Sequence, residues 1–164
     1  MLMSTLAPPV ITFADERHLE SLMMVMRASF DSAYGEAWST LQLGGSIGMA
    51  SSFARQALDR DGRAIGFTLC RAAGPEVELL LIAVEPTQRG NGLGQRLVET
   101  AIQDSWRRGA SELILEVREN NVAARTLYEK SGFRSVGHRP DYYAGSDGTK
   151  FGAITMKRLL DDLG

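Results

Sequence analysis

Leu79-Leu80-Leu81-Ile82-Ala83-Val84-Glu85-Pro86-Thr87-Gln88-Arg89-Gly90-Asn91-Gly92-Leu93-Gly94 is the stretch on which the fold turns. An apolar run stops at an acidic residue and a proline. A loop with one arginine and three glycines follows, and apolar residues then recur at helical spacing from Leu93 to Trp106. A strand, a glycine loop and a helix start in this order make a phosphate site, because the first helical N–H groups lack intrahelical partners and point outward. Gly92 and Gly94 carry no Cβ to keep a bulky anion away from the backbone.

Upstream, Val10–Phe13 reads as a short strand, and Thr12 or Asp15 caps a helix in which Leu19, Leu22, Met23, Met26 and Phe30 form one face. Met23 and Met26 on that face are core filler. From Asp31 to Gly48 the texture is loop, with a short, poor helix starting near Ser39 and a Gly44-Gly45 pair. Trp38 in this loop either touches a ligand or covers the core. Ser51–Gln56 and Arg63–Cys70 read as strands joined by the Asp59-Arg60-Asp61-Gly62 turn, and Ala72-Ala73-Gly74-Pro75 leads into a strand from Glu76 to Val84. Strands joined by such short turns form an antiparallel meander.

Downstream, Leu97, Val98, Ala101, Ile102 and Trp106 form the inner face of a helix that Gly109 ends. Glu112–Arg118 alternates as a strand, Asn121–Lys130 is a helix, and Phe133–His138 and Phe151–Lys157 are strands. The segment Arg139-Pro140-Asp141-Tyr142-Tyr143 reads as loop. The result is one mixed α/β domain over residues 10–160, with residues 1–9 as a lead-in ending in Pro8-Pro9. The strands on either side of the central helix should run parallel or splay apart.

The chain has 164 residues, 44% apolar and 23% charged, which suits a single globular domain with a sizeable core. Cys70 is the one cysteine and sits in an apolar run, so a disulfide scaffold and a zinc cluster are excluded. His18 and His138 match no catalytic spacing, and no metal is expected. The net charge of −2, with both signs interspersed, argues against a large basic face for nucleic acid. Met1–Thr5 lacks a basic leader and no apolar run approaches a membrane span, so a cytoplasmic protein is expected. Oligomeric state leaves no mark in the sequence.

A nucleotide P-loop needs a Gly-Lys-Ser/Thr triplet, and none occurs. In a dinucleotide fingerprint Gly90 and Gly92 would supply the first pair and Glu112 or Glu116 the ribose contact. Gln95 stands where the third glycine belongs, and hairpin strands flank the motif where further βα units should be. Arg89-x-x-Gly92-x-Gly94 between strand and helix resembles the acetyl-coenzyme-A loop of the GNAT superfamily of N-acetyltransferases.

The next segment narrows the likeness. Leu115-Glu116-Val117-Arg118-x-x-Asn121-x-x-Ala124-x-x-Leu127-Tyr128-x-x-x-Gly132-Phe133 resembles the bacterial RimI type, ribosomal-protein-alanine N-acetyltransferases known for small-subunit ribosomal protein eighteen. Arg139-x-x-Tyr142-Tyr143 with Asp147-Gly148 downstream, and Trp38-Ser39 upstream, are similar to the same type. The likeness runs from about residue 10 to residue 158 and is strongest from Ile82 to Tyr143. Gly90 stands where that type often has a basic residue, which leaves phosphate contact to backbone.

The resemblance implies a single GNAT domain with splayed central parallel strands, using acetyl-coenzyme A as co-substrate. It implies that Arg89, Gly90, Asn91, Gly92, Leu93, Gly94 and Gln95 hold the pyrophosphate, and that main-chain groups of Ile82, Ala83 and Val84 pair with the pantetheine arm. Asn121 becomes a coenzyme ligand as well as a helix cap. Glu116 becomes the base, Tyr128 the acid, and Trp38, Arg139, Tyr142 and Tyr143 the walls of an acceptor groove. The acceptor implied is a protein N-terminal peptide, with alanine first. The residues by themselves leave Glu116 open as a solvated group on the face with Glu112 and Ile114, and Tyr128 as a packing residue after Leu127.

Magnitudes weigh the two roles unequally. An α-amine with pKa of about 7.7–8.0 is already neutral in roughly a tenth of molecules at pH 7, against well under one in a thousand for lysine. Glu116 therefore has little to contribute for an N-terminal acceptor beyond holding the ammonium. Tyrosine, with pKa of about 10, stays protonated where a thiol of about 8.5 does not, so it suits protonation of a departing thiolate. The same fold acting on a small amine or a lysine, or a coenzyme-binding module without turnover, are the competing expectations.

Overall fold

The computed structural model describes residues 7–164, so most of the lead-in expected over residues 1–9 lies outside the described residues. The chain runs β1 (Val10–Ala14), α1 (Leu19–Ser29), α2 (Thr40–Ile47), β2 (Ser52–Leu58), β3 (Ala64–Ala73), β4 (Glu76–Val84), α3 (Leu93–Arg107), β5 (Glu112–Arg118), α4 (Val122–Lys130), β6 (Arg134–Ala144) and β7 (Lys150–Leu159). The strands form one sheet in the order β1-β2-β3-β4-β5-β7-β6. β4 and β5 are parallel and every other pairing is antiparallel, which is the mixed sheet expected.

The parallel pair is short. Only Glu76, Val77 and Glu78 lie opposite Glu112, Leu113 and Ile114. Beyond them β5 stays with β7, Glu116 facing Thr155 and Arg118 facing Ala153, while β4 stays with β3. A bulge bends β4 at the point of parting: Leu69 faces Leu81 and Cys70 faces Leu79, leaving Leu80 without an opposite residue. The extra residue also switches faces. Val77 and Leu79 pack in the core beneath α3, whereas Leu81 and Ala83 pack in the core beneath α1 and α2. The edge of β4 that turns toward β5 is thereby left without a strand partner over its second half.

The helices follow their apolar stripes. Leu22, Met23 and Met26 of α1 are buried, as the spacing predicts, with Val25 beside them, while Leu19 and Phe30 of the predicted face are partly buried. The short helix near Ser39 is better built than its composition suggests. Ser39 Oγ accepts from the Gln42 N–H (3.1 Å) and Gln42 Oε1 accepts from the Ser39 N–H (2.8 Å). The Gly44-Gly45 pair lies inside α2 instead of in a loop. A Cβ on Gly44 would stand 3.2 Å from Leu19 Cδ2, so its absence lets α1 and α2 approach.

Two expectations are corrected. Trp106 is 38% exposed, because the inner stripe of α3 ends with the polar residues Asp104 and Ser105. Asp104 accepts two hydrogen bonds from Arg55 (2.8 and 2.9 Å) and Ser105 donates to the Ala101 carbonyl, which is what makes burial tolerable. The segment from Arg139 to Tyr143 is strand: β6 continues to Ala144. Pro140 lacks an N–H, but β6 is the edge of the sheet, and Arg139 to Tyr143 bulges against β7 with Asp141 at φ 56°.

Candidate active site

The gap between the splayed strands opens into a cavity of about 980 Å³. Its walls are the second halves of β4 and β5, the start of α3, α4, the segment between α1 and α2, and the end of β6.

The glycine-loop side of the cavity is fixed at the end of β4. Glu85 takes a bidentate ion pair from Arg63 (2.6 and 3.0 Å), which holds its carboxyl below the usual range, and its N–H donates to Ile65 O (2.9 Å). Pro86 opens a single 3₁₀ turn that stops at Gln88. Gly90 and Gly92 follow at φ 84° and 79°, left-handed backbone that strains any other residue, and a Cβ on either would project into open space. The first i−4 bond of α3 is Arg96 N–H to Gly92 O (3.1 Å), so the N–H groups of Leu93, Gly94 and Gln95 precede the helical ladder. Leu93 is buried in the core beside Leu97 and also lines the cavity.

Most sequence-predicted residues meet in this cavity. Ile82, Ala83, Val84, Arg89, Gly90, Gly92, Leu93, Gly94 and Gln95 line one end, and Glu116, Asn121, Tyr128, Trp38, Tyr142 and Tyr143 line the other walls. Asn91 and Arg139 are not among the lining residues. Arg89 lines the cavity, yet its guanidinium is taken by two carbonyls, Val84 O (3.2 Å) and Ser29 O (2.7 Å). It ties the glycine loop to the end of α1. Asn121 caps α4, its Oδ1 accepting from the Ala124 N–H at 3.2 Å, so its amide NH₂ is the group left to face a ligand.

Alternation on β5 buries Leu113, Leu115 and Val117 and turns Glu116 to the cavity side. Glu116 Oε1 lies 3.0 Å from Arg139 Nη2, whose guanidinium also reaches the Tyr142 ring at 5.2 Å. Tyr128 is buried and packs against Phe133 with ring centroids 5.8 Å apart. Burial, with Tyr143 and Glu36 nearby, pushes its hydroxyl well above the ordinary tyrosine value. Tyr143 is pushed up to about 12 by burial and by the carboxylates of Glu36 and Glu116. Both phenols hold their protons at any physiological pH. Trp38 packs on the core beneath α1 and α2 and also lines the cavity.

A network absent from the sequence reading joins the walls. Arg118, 7% exposed, pairs with Glu36 (3.0 Å), donates to Asn120 Oδ1 and stacks over the Tyr34 ring at 3.5 Å. The signal was an arginine next to Val117 at the buried end of a strand, which demands a carboxylate from elsewhere in the chain. Glu119 accepts from the Gly152 N–H (2.9 Å) and faces His138 Nε2 (2.9 Å), so His138 belongs to an exposed structural pair. His18 accepts from the Asp15 N–H in the turn before α1. Cys70 is buried, which raises its thiol far above the reactive range. Among the described residues no group of three or more metal-ligating side chains comes together, and no helix is long and apolar enough to cross a membrane.

An unpaired strand edge running into a glycine-lined helix start, with a carboxylate and a buried phenol across the gap, can hold a phosphate-bearing thioester beside an amine. Comparisons with known proteins point the same way. The chain is 39% identical over 103 residues to the [ribosomal protein bS18]-alanine N-acetyltransferase of Haemophilus influenzae, covering 63% of this chain and 70% of that protein. To the protein of the same name from Escherichia coli K12 it is 38% identical over 91 residues, 56% of this chain and 62% of that protein. The matched stretch thus spans about two thirds of these relatives' length. A crystal structure of the ribosomal-protein-S18-alanine N-acetyltransferase from Escherichia coli superposes with a TM-score of 0.85 at 28% identity, covering 93% of this chain and 94% of that one. The structure of yncA from Salmonella typhimurium with its cofactor acetyl-CoA, at 19% identity and a TM-score of 0.77, shares the fold. Residues 19–133 match the acetyltransferase (GNAT) family, and the chain belongs to it.

Proposed function

We propose that this chain moves acetyl from acetyl-coenzyme A directly to the N-terminal α-amine of a protein, and that the acceptor is the N-terminal alanine of ribosomal protein bS18. The observation that carries the reading is the single cavity that brings the glycine loop, the free edge of β4, Glu116 and Tyr128 together. The named relatives favour this acceptor over other amines.

The residues present fit the co-substrate. The open space at Gly90 and Gly92 leaves room for an anion beside the N–H groups that precede the α3 ladder, as helix starts that bind phosphate do. Main-chain groups of Ile82, Ala83 and Val84 on the unpaired edge bind an extended amide-bearing arm as an added strand would. Acetyl-coenzyme A supplies the activated acetyl as a thioester.

The chain's own groups do the rest. Glu116 receives the acceptor ammonium, orients it and takes up its proton, directly or through water. A backbone N–H on β4 polarises the acetyl carbonyl. Tyr128 keeps its proton because burial disfavours the phenolate. Its O–H hydrogen-bonds the departing sulfur as the C–S bond breaks and the C–N bond forms, and any proton it gives to sulfur is replaced by the one the acceptor ammonium releases. Acceptor and donor react within one complex, with no acetyl carried on the enzyme. Trp38, Tyr142 and Tyr143 form the groove that leads the peptide in, and Arg139 stands outside it, holding Glu116 until an ammonium replaces it.

The test is mass spectrometry after incubation with acetyl-coenzyme A and three acceptors: an alanine-first peptide of bS18, an α-blocked lysine peptide and a polyamine. Acetylation at the α-amine is expected. Modification of the polyamine or the lysine alone refutes the proposed acceptor, and no modification of any amine favours a non-catalytic module.

A further inference from the structure

Arg118 ends β5 two residues beyond Glu116, and its side chain meets three residues from two other parts of the chain. Its Nε bonds Glu36 Oε1 at 3.0 Å, its Nη1 donates to Asn120 beside the α4 cap, and its Cζ stands 3.5 Å from the Tyr34 ring centroid. Tyr34 in turn sets its ring edge against Phe151 of β7, centroids 5.5 Å apart. The segment from Asp31 to Ser39 has only one 3₁₀ turn, Ser32–Tyr34, before α2 begins. It is tied at its near end by Ser146 N–H to Ala33 O (2.9 Å), and its Glu36 and Trp38 line the cavity. A segment so poor in regular hydrogen bonds takes its position from its tethers.

We propose that Arg118 is a positioning residue for the acceptor: by gripping Glu36 and Tyr34 it fixes the α1–α2 segment relative to the strand that carries Glu116, and so sets the width of the acceptor groove. The pair spans 82 positions of sequence and is mostly buried, with side chains 9% and 18% exposed, so it is little screened by solvent. A planar guanidinium is required because edge and face are used at once. An ammonium supplies a point charge without the fork or the stack. The donor side meets Arg118 only beside Asn121, through Asn120 and through the Asn121 N–H to Arg118 O bond (3.0 Å), and neither contact involves Glu36. Loss of the Glu36 grip therefore changes how the acceptor binds and leaves coenzyme binding as it was.

The inference rests on the proposed acetyl transfer, and its test keeps the two apart. Steady-state constants for both substrates are measured for Glu36→Gln, Arg118→Met, Arg118→Lys and the Glu36→Gln/Arg118→Met double variant, with thermal melting as a fold check. The acceptor is whichever amine the wild-type enzyme modifies. Glu36→Gln and Arg118→Met should each raise the acceptor KM at least tenfold while the acetyl-coenzyme A KM stays within twofold. Arg118→Lys should recover part of the loss, and the double variant should be no worse than the poorer single one. A merely structural role would move both KM values and show no partial rescue. An acceptor KM within twofold of wild type in folded Glu36→Gln overturns the proposal, as does an equal rise in both constants. Glu36 sits on an irregular segment, so this variant decides the matter even where Arg118→Met fails to fold. If the peptide is not acetylated and another amine is, the proposed acceptor falls while the clamp is still judged on that amine.

Discussion

Along β4 and into α3 the cavity wall is main chain: an unpaired strand edge, two glycines with left-handed backbone, and helical N–H groups ahead of the first i−4 bond. Across the gap the wall is side chains held in pairs: Glu36 by Arg118, Glu116 by Arg139, and Tyr143 near both carboxylates. A main-chain site needs shape, and shape is set by a bulge, a proline and the absence of Cβ atoms. A side-chain site needs partners brought from distant parts of the chain, and each partner is a point at which acceptor preference can be tuned. The two ends should therefore fail differently when changed.

The largest effect is expected at the seam between them. Tyr128→Phe keeps the packing against Phe133 and removes the proton, so turnover should fall by about 10²–10³ while acetyl-coenzyme A affinity stays within twofold. Unchanged turnover in stopped-flow or steady-state assays removes Tyr128 from the chemistry. The pH profile gives a second check. Burial raises the Tyr128 pKa, so the acid form persists to higher pH and no alkaline loss is expected below about pH 10. The rate should instead rise as the acceptor amine deprotonates near pH 8 and then level off. A fall between pH 8 and pH 10 contradicts the assignment.

On the donor side, Gly92→Ala forces a Cβ into the space an anion needs and onto left-handed backbone, at a cost of about 1–2 kcal/mol. Calorimetry should show acetyl-coenzyme A binding weakened at least tenfold, with the acceptor KM unchanged once the coenzyme is saturating. A larger effect on the acceptor would erase the distinction between the ends. Smaller still is Glu116→Gln. For an α-amine that is already partly neutral, kcat/KM at pH 8 should drop about tenfold or less, and the deficit should grow as pH is lowered. A loss above a thousandfold at pH 8 would make Glu116 an obligatory base. Least of all, Arg139→Ala removes a partner that is 60% exposed, and a pair this open contributes about 0–1 kcal/mol. The acceptor KM should change less than about fivefold, and a rise beyond that would place Arg139 inside the groove.

The same contrast explains what could be read from the sequence. The bounds of β4 and β5, the start of α3 at Leu93 and the Asn121 cap all follow from local pattern: alternation, a proline, glycines, a capping side chain. Local pattern misleads where tertiary contact overrides it. Gly44 and Gly45 look like helix breakers, yet Gly44 is what lets Leu19 of α1 come close. Pro140 looks like the end of a strand, yet an edge strand with a bulge accommodates it. Trp106 looks like the last core residue of α3, but Asp104 and Ser105 take that place because Arg55 arrives from β2. Arg118 at the end of a strand signals the need for a carboxylate, but nothing within a window around it points to Glu36, 82 positions away.

The division of the cavity is tested most directly by a crystal structure with coenzyme A and an alanine-first peptide bound together. The pyrophosphate oxygens should lie within hydrogen-bond distance of backbone N–H groups between Gly90 and Gln95, with the sulfur beside the Tyr128 hydroxyl. The peptide nitrogen should sit near Glu116 in the groove bounded by Trp38 and Tyr143. Phosphates held mainly by side chains, or a peptide amine that lies away from Glu116 and Tyr128, would contradict it.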